Sequence, residues 1–201
     1  MKRDPRPIIL AAVWGLFEER GSVAFTYEEL AKRAGVSRQT IYSHFPDRAT
    51  LFVALADHTR SMFDVHQLSA AVFDAATARD ALAAAVDFHM GYTMRILAPY
   101  RAIEIERAKD PALAAAFEQR DVGRRQTVRH VMTRLRAEAQ LDRAWSVDTA
   151  TDLMVALLSA SLAMELTEQR SWSRDEFRDR LLLTLQRTLL IDTPPKKPKK
   201  G

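Results

Sequence analysis

Apolar residues recur along this chain at intervals of three and four, and no run of alternating apolar and polar residues is bounded by turns, so the pattern predicts helices and no strands. Ile9, Ala12, Val13, Leu16 and Phe17 make the inner face of a first helix from about Pro7 to Arg20, with Gly21 as its stop. The second helix starts with a cap, Thr26, a reciprocating Glu29, and Phe25 set to pack on Leu30; its inner face is Leu30, Ala31 and Ala34. Gly35 can take positive φ and end that helix, and Ser37 can cap the third. Val36 and Ile41 fit a hydrophobic staple, and Pro46 ends the third helix after about two turns. The result is a sharp helix-turn-helix. Three such short helices bury a modest core, so the unit is expected to lean on the fourth helix.

That fourth helix is predicted from about Asp47 to Phe73, with Leu51, Phe52, Leu55, Met62 and Phe63 as its stripe. A fifth follows the Thr77–Asp80 capping pattern to about Leu97 and is stopped by Pro99; a short sixth runs from Tyr100 to Lys109. Asp110-Pro111 opens a seventh reaching about Leu141. Ser146 caps an eighth, and Ser173 with Glu176, stapled by Trp172 and Phe177, a ninth. The expected fold is all-α, with about nine helices. An N-terminal three-helix helix-turn-helix domain, residues 1–50, is joined by the long fourth helix to a C-terminal helical ligand-binding and dimerisation domain, residues 51–193. Residues 194–201 are expected to be a disordered basic tail.

The last two helices are apolar on more than one face, and a helix hydrophobic all round must be buried all round. One reading sets one face on the subunit core and the other on a second subunit, with Ala156, Ser159, Ala160, Ala163, Leu181, Leu185 and Leu189 at a homodimer interface. The other is a central core helix in a monomer. Polar residues interrupt two earlier stripes. His89 and Thr93 fall among Leu82, Ala85, Val86, Met90, Ile96 and Leu97; Asp121 and Arg124 fall among Leu113, Phe117, Val128, Val131 and Leu135. Buried polar groups need partners. A satisfied core histidine with an Asp–Arg pair at i,i+3 is one account. The sharper one makes His89, Thr93, Asp121 and Arg124 the polar fixtures of a small-molecule pocket, with Met90, Met94, Met132 and Met154 as adaptable walls.

Composition narrows the picture. A hydrophobic share of 47% over 201 residues supports a real core, and no window approaches the roughly 18 apolar residues of a membrane span. The start Met-Lys-Arg-Asp-Pro lacks a signal peptide's apolar run, so a soluble, cytoplasmic protein with no membrane partner is expected. Zero cysteines remove disulfides and thiolate chemistry. The net charge of +4 is matched by Lys196, Lys197, Lys199 and Lys200 alone, so global charge says little about nucleic acid. The tail carrying them is open to three readings: a solubilising tail, a weak phosphate binder or a remnant of cloning. An enzyme has little support: there is no glycine-rich phosphate loop, HExxH helix or serine elbow. His44, His58, His66, His89 and His130 share no metal-ligand spacing, so no catalytic residue, metal or cofactor is assigned.

Ala11-Ala12, Phe17, Gly21, Phe25-Thr26, Leu30-Ala31, Ala34-Gly35-Val36-Ser37, Thr40-Ile41-Tyr42, Phe45 and Leu51 form a string of positions. Through it, residues 8 to about 52 resemble the DNA-binding domain of the TetR (tetracycline repressor) family of bacterial transcription regulators. One departure is Arg48, where that family usually has lysine. The resemblance implies a recognition helix in the major groove of double-stranded operator DNA. With Ile41 inward, Gln39 and Ser43 face out and Arg38, Thr40, Tyr42 and His44 flank them. Arg38 can read guanine and Gln39 adenine, each bonding two base-edge atoms. Matching family positions makes Thr26, Tyr27, Thr40, Tyr42, His44 and Arg48 phosphate contacts, and Ser37 and Ser43 complete the DNA-facing set. The remainder of the chain resembles the family only in helix count and length. The expected protein is a homodimeric repressor released by an unidentified, partly apolar effector; a DNA-binding protein that senses nothing, controlled by abundance or partner, is the alternative.

Overall fold

The computed structural model describes residues 4–20, 25–108 and 110–191. They form ten α-helices and one π turn: α1 Arg6–Arg20, α2 Tyr27–Ala34, α3 Arg38–His44, α4 Arg48–Met62, α5 Val65–Phe73, α6 Ala78–Arg107, α7 Pro111–Ala137, α8 Val147–Leu157, α9 Ala160–Met164, the π turn Glu165–Gln169, and α10 Arg174–Leu189. No strand occurs among the described residues; Leu141 and Leu190 make an isolated antiparallel bridge. Gly21 and the tail 194–201 lie outside the described residues, as does the side chain of Asp121. The all-α reading holds, and four element boundaries need correction.

The expected helix from Asp47 to Phe73 is two helices. Phe63 closes α4, and Asp64 follows with φ of 43°. Aspartate tolerates that conformation better than most residues because its short side chain bonds locally: here its carboxylate accepts from the Gln67 N–H at 3.2 Å and so caps α5. The expected stop at Pro99 is absent, because α6 runs through it. An interior proline costs a helix about 3 kcal/mol, and the Pro99 ring is buried, so packing offsets what local propensity forbids. The eighth helix breaks instead at Leu158, where Ser159 caps α9 by accepting from the Leu162 N–H at 3.3 Å. α7 stops at Ala137, short of Leu141, with Ala139 in the left-handed region at φ 52°.

Two compact units result: the chain up to Leu68 with Gly91–Gly123, and Ser69–Met90 with the chain from Arg124 onward. In the first unit, the predicted inner faces of α1 and α2 are buried, as are Ile41, Phe45, Leu51, Phe52 and Leu55. Phe17 is the hub, with Phe25 edge-on at 6.3 Å and Phe52 tilted at 6.3 Å. Burying each such ring contributes about 1.5–3 kcal/mol. α4 supplies the support anticipated for the short helices, and Ile103 of α6 and Leu113 of α7 join the same cluster. Met62, predicted on the inner stripe, is 43% exposed.

The second unit buries Leu82, Ala85 and Val86 of α6, Val128, Val131, Met132 and Leu135 of α7, Met154 of α8, and Leu181, Leu185 and Leu189 of α10. Its end is tied by backbone: Asp142 N–H donates to the Leu189 carbonyl at 2.8 Å, and Ile191 N–H to that of Gln140 at 3.0 Å. Trp145 Nε1 adds a bond to the Thr188 carbonyl at 2.8 Å. Arg178 forks onto both oxygens of Asp87, and Arg125–Asp152 and Arg129–Asp148 pair α7 with α8.

Candidate nucleic-acid interface and interior polar groups

The turn between α2 and α3 is built from residues within twenty positions of one another. Thr26 Oγ1 accepts from the Glu29 N–H at 3.2 Å, and the Glu29 carboxylate accepts from the Thr26 N–H at 2.8 Å, a complete capping box. Gly35 closes α2 at φ 66°, with its N–H on the Ala31 and Lys32 carbonyls. Ser37 then opens α3, its Oγ accepting from the Thr40 N–H at 3.0 Å. Ile41 is fully buried and Phe45 nearly so, which fixes the roll of α3. Arg38, Gln39, Tyr42 and Ser43 are left exposed along the outer side, with Thr40 and His44 half-buried at its edges.

The outer side is partly organised already. The Arg38 guanidinium stands 5.5 Å from the Tyr42 ring centre and donates to its hydroxyl at 3.4 Å. Tyr42 in turn packs on Tyr27 with ring centres 4.9 Å apart. The Tyr27 hydroxyl is buried without a hydrogen-bond partner; burial pushes it up to about 12, with the Arg48 charge opposing. Thr40 Oγ1 lies 2.8 Å from Ser37 Oγ, and Ser43 Oγ donates to the Thr40 carbonyl at 2.9 Å. Ser37 and Thr26 are therefore first of all caps, and Thr40 is the residue that Ser37 caps.

Arg48 departs furthest from its expected part. Its Nη1 donates to the Phe25 carbonyl at 3.0 Å, and its guanidinium lies 4.9 Å from the Phe25 ring centre and 5.2 Å from that of Phe52. It is half-buried, holding the chain that enters α2 against α4, rather than a cation standing free for a phosphate. The planar fork that distinguishes arginine from lysine suits stacking of this kind. A contact spanning 23 residues leaves no local sequence signal.

The interior polar groups divide between the units. Thr93 is buried in the first. His89, Met90, Arg124, Met132 and Met154 belong to the second, where His89 is 5% exposed. Burial, and secondarily the Arg124 charge, push His89 down to about 4, so its ring is neutral at physiological pH. Its Nε2 is buried without a hydrogen-bond partner, and so is that of His130, a residue that sequence periodicity did not single out. The His130 ring lies 4.9 Å from that of Phe73.

Of the residues expected at a dimer interface, Ala160, Ala163, Leu181, Leu185 and Leu189 are at most 5% exposed in the single chain and fill its own core. Ser159 is a helix cap. Ala156 remains exposed, and Leu183 of α10 is 39% exposed though the interface set omitted it. The apolar count of these helices is as read, but the side turned outward is not. Among the described residues no single helix is long and apolar enough to cross a membrane; α8 and the α9–π stretch reach that apolarity together, across a 40° bend.

Residues 9–55 match the family model described as bacterial regulatory proteins, tetR family. A stretch of 71 residues is 38% identical to the HTH-type transcriptional repressor BepR of Brucella suis biovar 1 (strain 1330), covering 35% of this chain and only 34% of that protein. The fold is similar to that of a transcriptional regulator from Saccharomonospora viridis crystallised with choline, with TM-score 0.77, 21% identity, and 93% and 98% of the two chains covered. A TetR-family regulator from a Rhodococcus species gives 0.74 at 18% identity, covering 91% and 97%. FadR from Bacillus subtilis, in complex with stearoyl-CoA, gives 0.71 at 16%, covering 89% and 96%.

Proposed function

We propose that this chain, whose N-terminal domain is that of the tetR family of bacterial regulatory proteins and whose fold is that of TetR-family regulators, is a cytoplasmic transcriptional repressor. It binds an approximately palindromic operator as a homodimer and is released by a small, partly apolar molecule. The observation that carries this is α3: capped by Ser37, held by buried Ile41, and presenting Arg38, Gln39, Tyr42 and Ser43 outward. A short helix fixed on one side and polar on the other suits the major groove, where Arg38 and Gln39 read base edges. Tyr27, Tyr42, Thr26 and His44 hold phosphates beside it, and Arg48 acts by positioning the entry to α2.

The outer faces of α8 and α10, where Ala156 and Leu183 stand exposed, support dimerisation there. Half-sites are then about one helical turn, roughly 34–36 Å, or a multiple of it apart. Repression accords with the BepR similarity, and release with relatives crystallised with choline or stearoyl-CoA. An effector acts only through different affinities for free and operator-bound protein, so operator must weaken effector binding by the same factor.

Selection of bound duplexes from a random DNA pool tests the reading. Enriched sequences should be inverted repeats. Gln39→Ala should flatten preference at one position per half-site, by roughly 5- to 150-fold in relative affinity, whereas Tyr42→Phe should weaken all sequences alike. No enrichment, or the same profile from Gln39→Ala as from the parent, would exclude α3 as the reader.

A further inference from the structure

We infer that the second unit takes a ligand with an anionic head on an apolar body, the head received by His89 and Arg124. This rests on the sensing function proposed above and names the chemistry of its effector. His89 lies on the buried face of α6, one turn beyond Ala85 and Val86, both fully buried, and its Nε2 is enclosed without a partner. A buried polar atom left unpaired is destabilising, and a native structure rarely keeps one unless something else completes it. Thr151, the other buried polar side chain described in this unit, already donates to the Val147 carbonyl at 2.7 Å. Of the two, only His89 keeps an unpartnered polar atom.

Arg124 supplies the charge. It sits one turn before fully buried Val128 on α7, its Nε is itself buried, and its charge acts on the His89 ring. A cationic ligand would meet that charge in a medium that screens it poorly. A purely apolar ligand would leave Nε2 as it is. An anionic oxygen accepts from a neutral imidazole N–H and is drawn by the guanidinium at once. The ring is depressed to about 4, so it meets the anion as a donor and not as a second charge. The remaining buried side chains that these helices give to the second unit, including Met90 and Met132, are aliphatic or thioether and suit an apolar body.

Matched six- and eight-carbon probes test this: the carboxylate, the alcohol and the trimethylammonium of each chain, below their micellar concentrations. They are added to the full-length protein and to its Arg124→Gln and His89→Gln variants. The carboxylate should raise the thermal midpoint more than the alcohol, and the ammonium should not raise it. Arg124→Gln should erase the preference of carboxylate over alcohol. In histidine-labelled protein, the ¹⁵N resonance of His89 Nε2 should move with the carboxylate alone. It is assigned by its loss in His89→Gln or, should that variant fail to fold, by elimination with the other four His→Gln substitutions.

No response to any carboxylate, equal or better response to the ammonium, or an unmoved His89 resonance overturns the inference. Operator binding measured in parallel separates the two failures. A carboxylate that engages His89 without loosening operator keeps the site and removes the sensing function. Operator released by the cation alone removes the site and keeps the sensing function.

Discussion

Replacing Gly35 by alanine should destabilise the first unit by about 1 kcal/mol through the backbone alone. The residue sits at φ 66° and ψ 30°, and a Cβ built on it meets nothing within 4 Å. Steric overlap is therefore absent, and two opposing backbone effects remain. Holding an L-residue in the left-handed region costs roughly 1–2 kcal/mol. Narrowing the unfolded chain by the change from glycine returns roughly 0.4–1 kcal/mol. The difference is close to 1 kcal/mol, and Gly35→Asn should lose about half of it, since asparagine enters this region more readily. Trp14, on α1 with its ring edge-on to Phe63 at 5.8 Å, reports the first unit once Trp145 and Trp172 are changed to phenylalanine. Urea titrations of that reference and its Gly35 variants give the difference directly. An unchanged midpoint for Gly35→Ala would show that the turn does not require a left-handed residue. A loss of about 3 kcal/mol or more, or equal losses for alanine and asparagine, would refute the claim that only backbone conformation is at stake.

At Gly15 the same substitution meets a side chain: a Cβ there would stand 2.6 Å from Arg33 Nη2, which itself donates to Glu19 at 2.5 Å. The roughly 1 kcal/mol that alanine offers an α-helix over glycine should thus emerge only in an Arg33→Ala background; the full gain with Arg33 present would show that the guanidinium is not held over α1. Ala156→Glu or Leu183→Glu should yield helical monomers by sedimentation and circular dichroism, while Leu185→Glu, at a fully buried position, should unfold the second unit; dimers surviving both surface changes would rule out this face. His89 makes stability depend on pH. With a folded value of about 4 against an ordinary 6.5, the unfolded chain binds the extra proton between those values, so stability rises with pH. The contribution is whole above about pH 6.5 and falls away towards pH 4, by up to about 3 kcal/mol; parallel denaturation curves for wild type and His89→Gln across that range would contradict it.

Legibility in the sequence tracks the range of the interactions concerned. The α2–turn–α3 segment was readable almost residue by residue because Thr26 with Glu29, Gly35, and Ser37 with Thr40 act within four positions of their partners. Helix limits set by distant packing were not: nothing near Pro99 announces that its ring is buried, and nothing near Phe63 that the chain turns there. Periodicity identified α8 and α10 as apolar on several sides, yet it cannot say which side meets the chain's own core, and Leu181, Leu185 and Leu189 were turned the wrong way. The bond from Arg48 to the Phe25 carbonyl was not legible for the same reason, since the two are 23 residues apart. His89 was found because a lone polar residue in an apolar stripe is visible at helical spacing, whereas its missing hydrogen-bond partner is visible only in three dimensions.

The cluster around Phe17 includes Ile103 and Leu113 and has Phe117 packed against it, although the region recognisable by family resemblance stops at residue 55. For anyone recombining regulators, the recognisable segment is therefore shorter than the segment that must be inherited. A chimera joined at residue 55, with α1 to α4 from this protein and the remainder from a relative, would seat foreign side chains at the places of Ile103, Leu113 and Phe117 against Phe52 and its neighbours. Mismatched volumes there would loosen the helices that aim α3, and the hybrid would lose operator affinity even with every DNA-facing residue intact. Carrying residues 91–123 along with 1–68 keeps the graft whole.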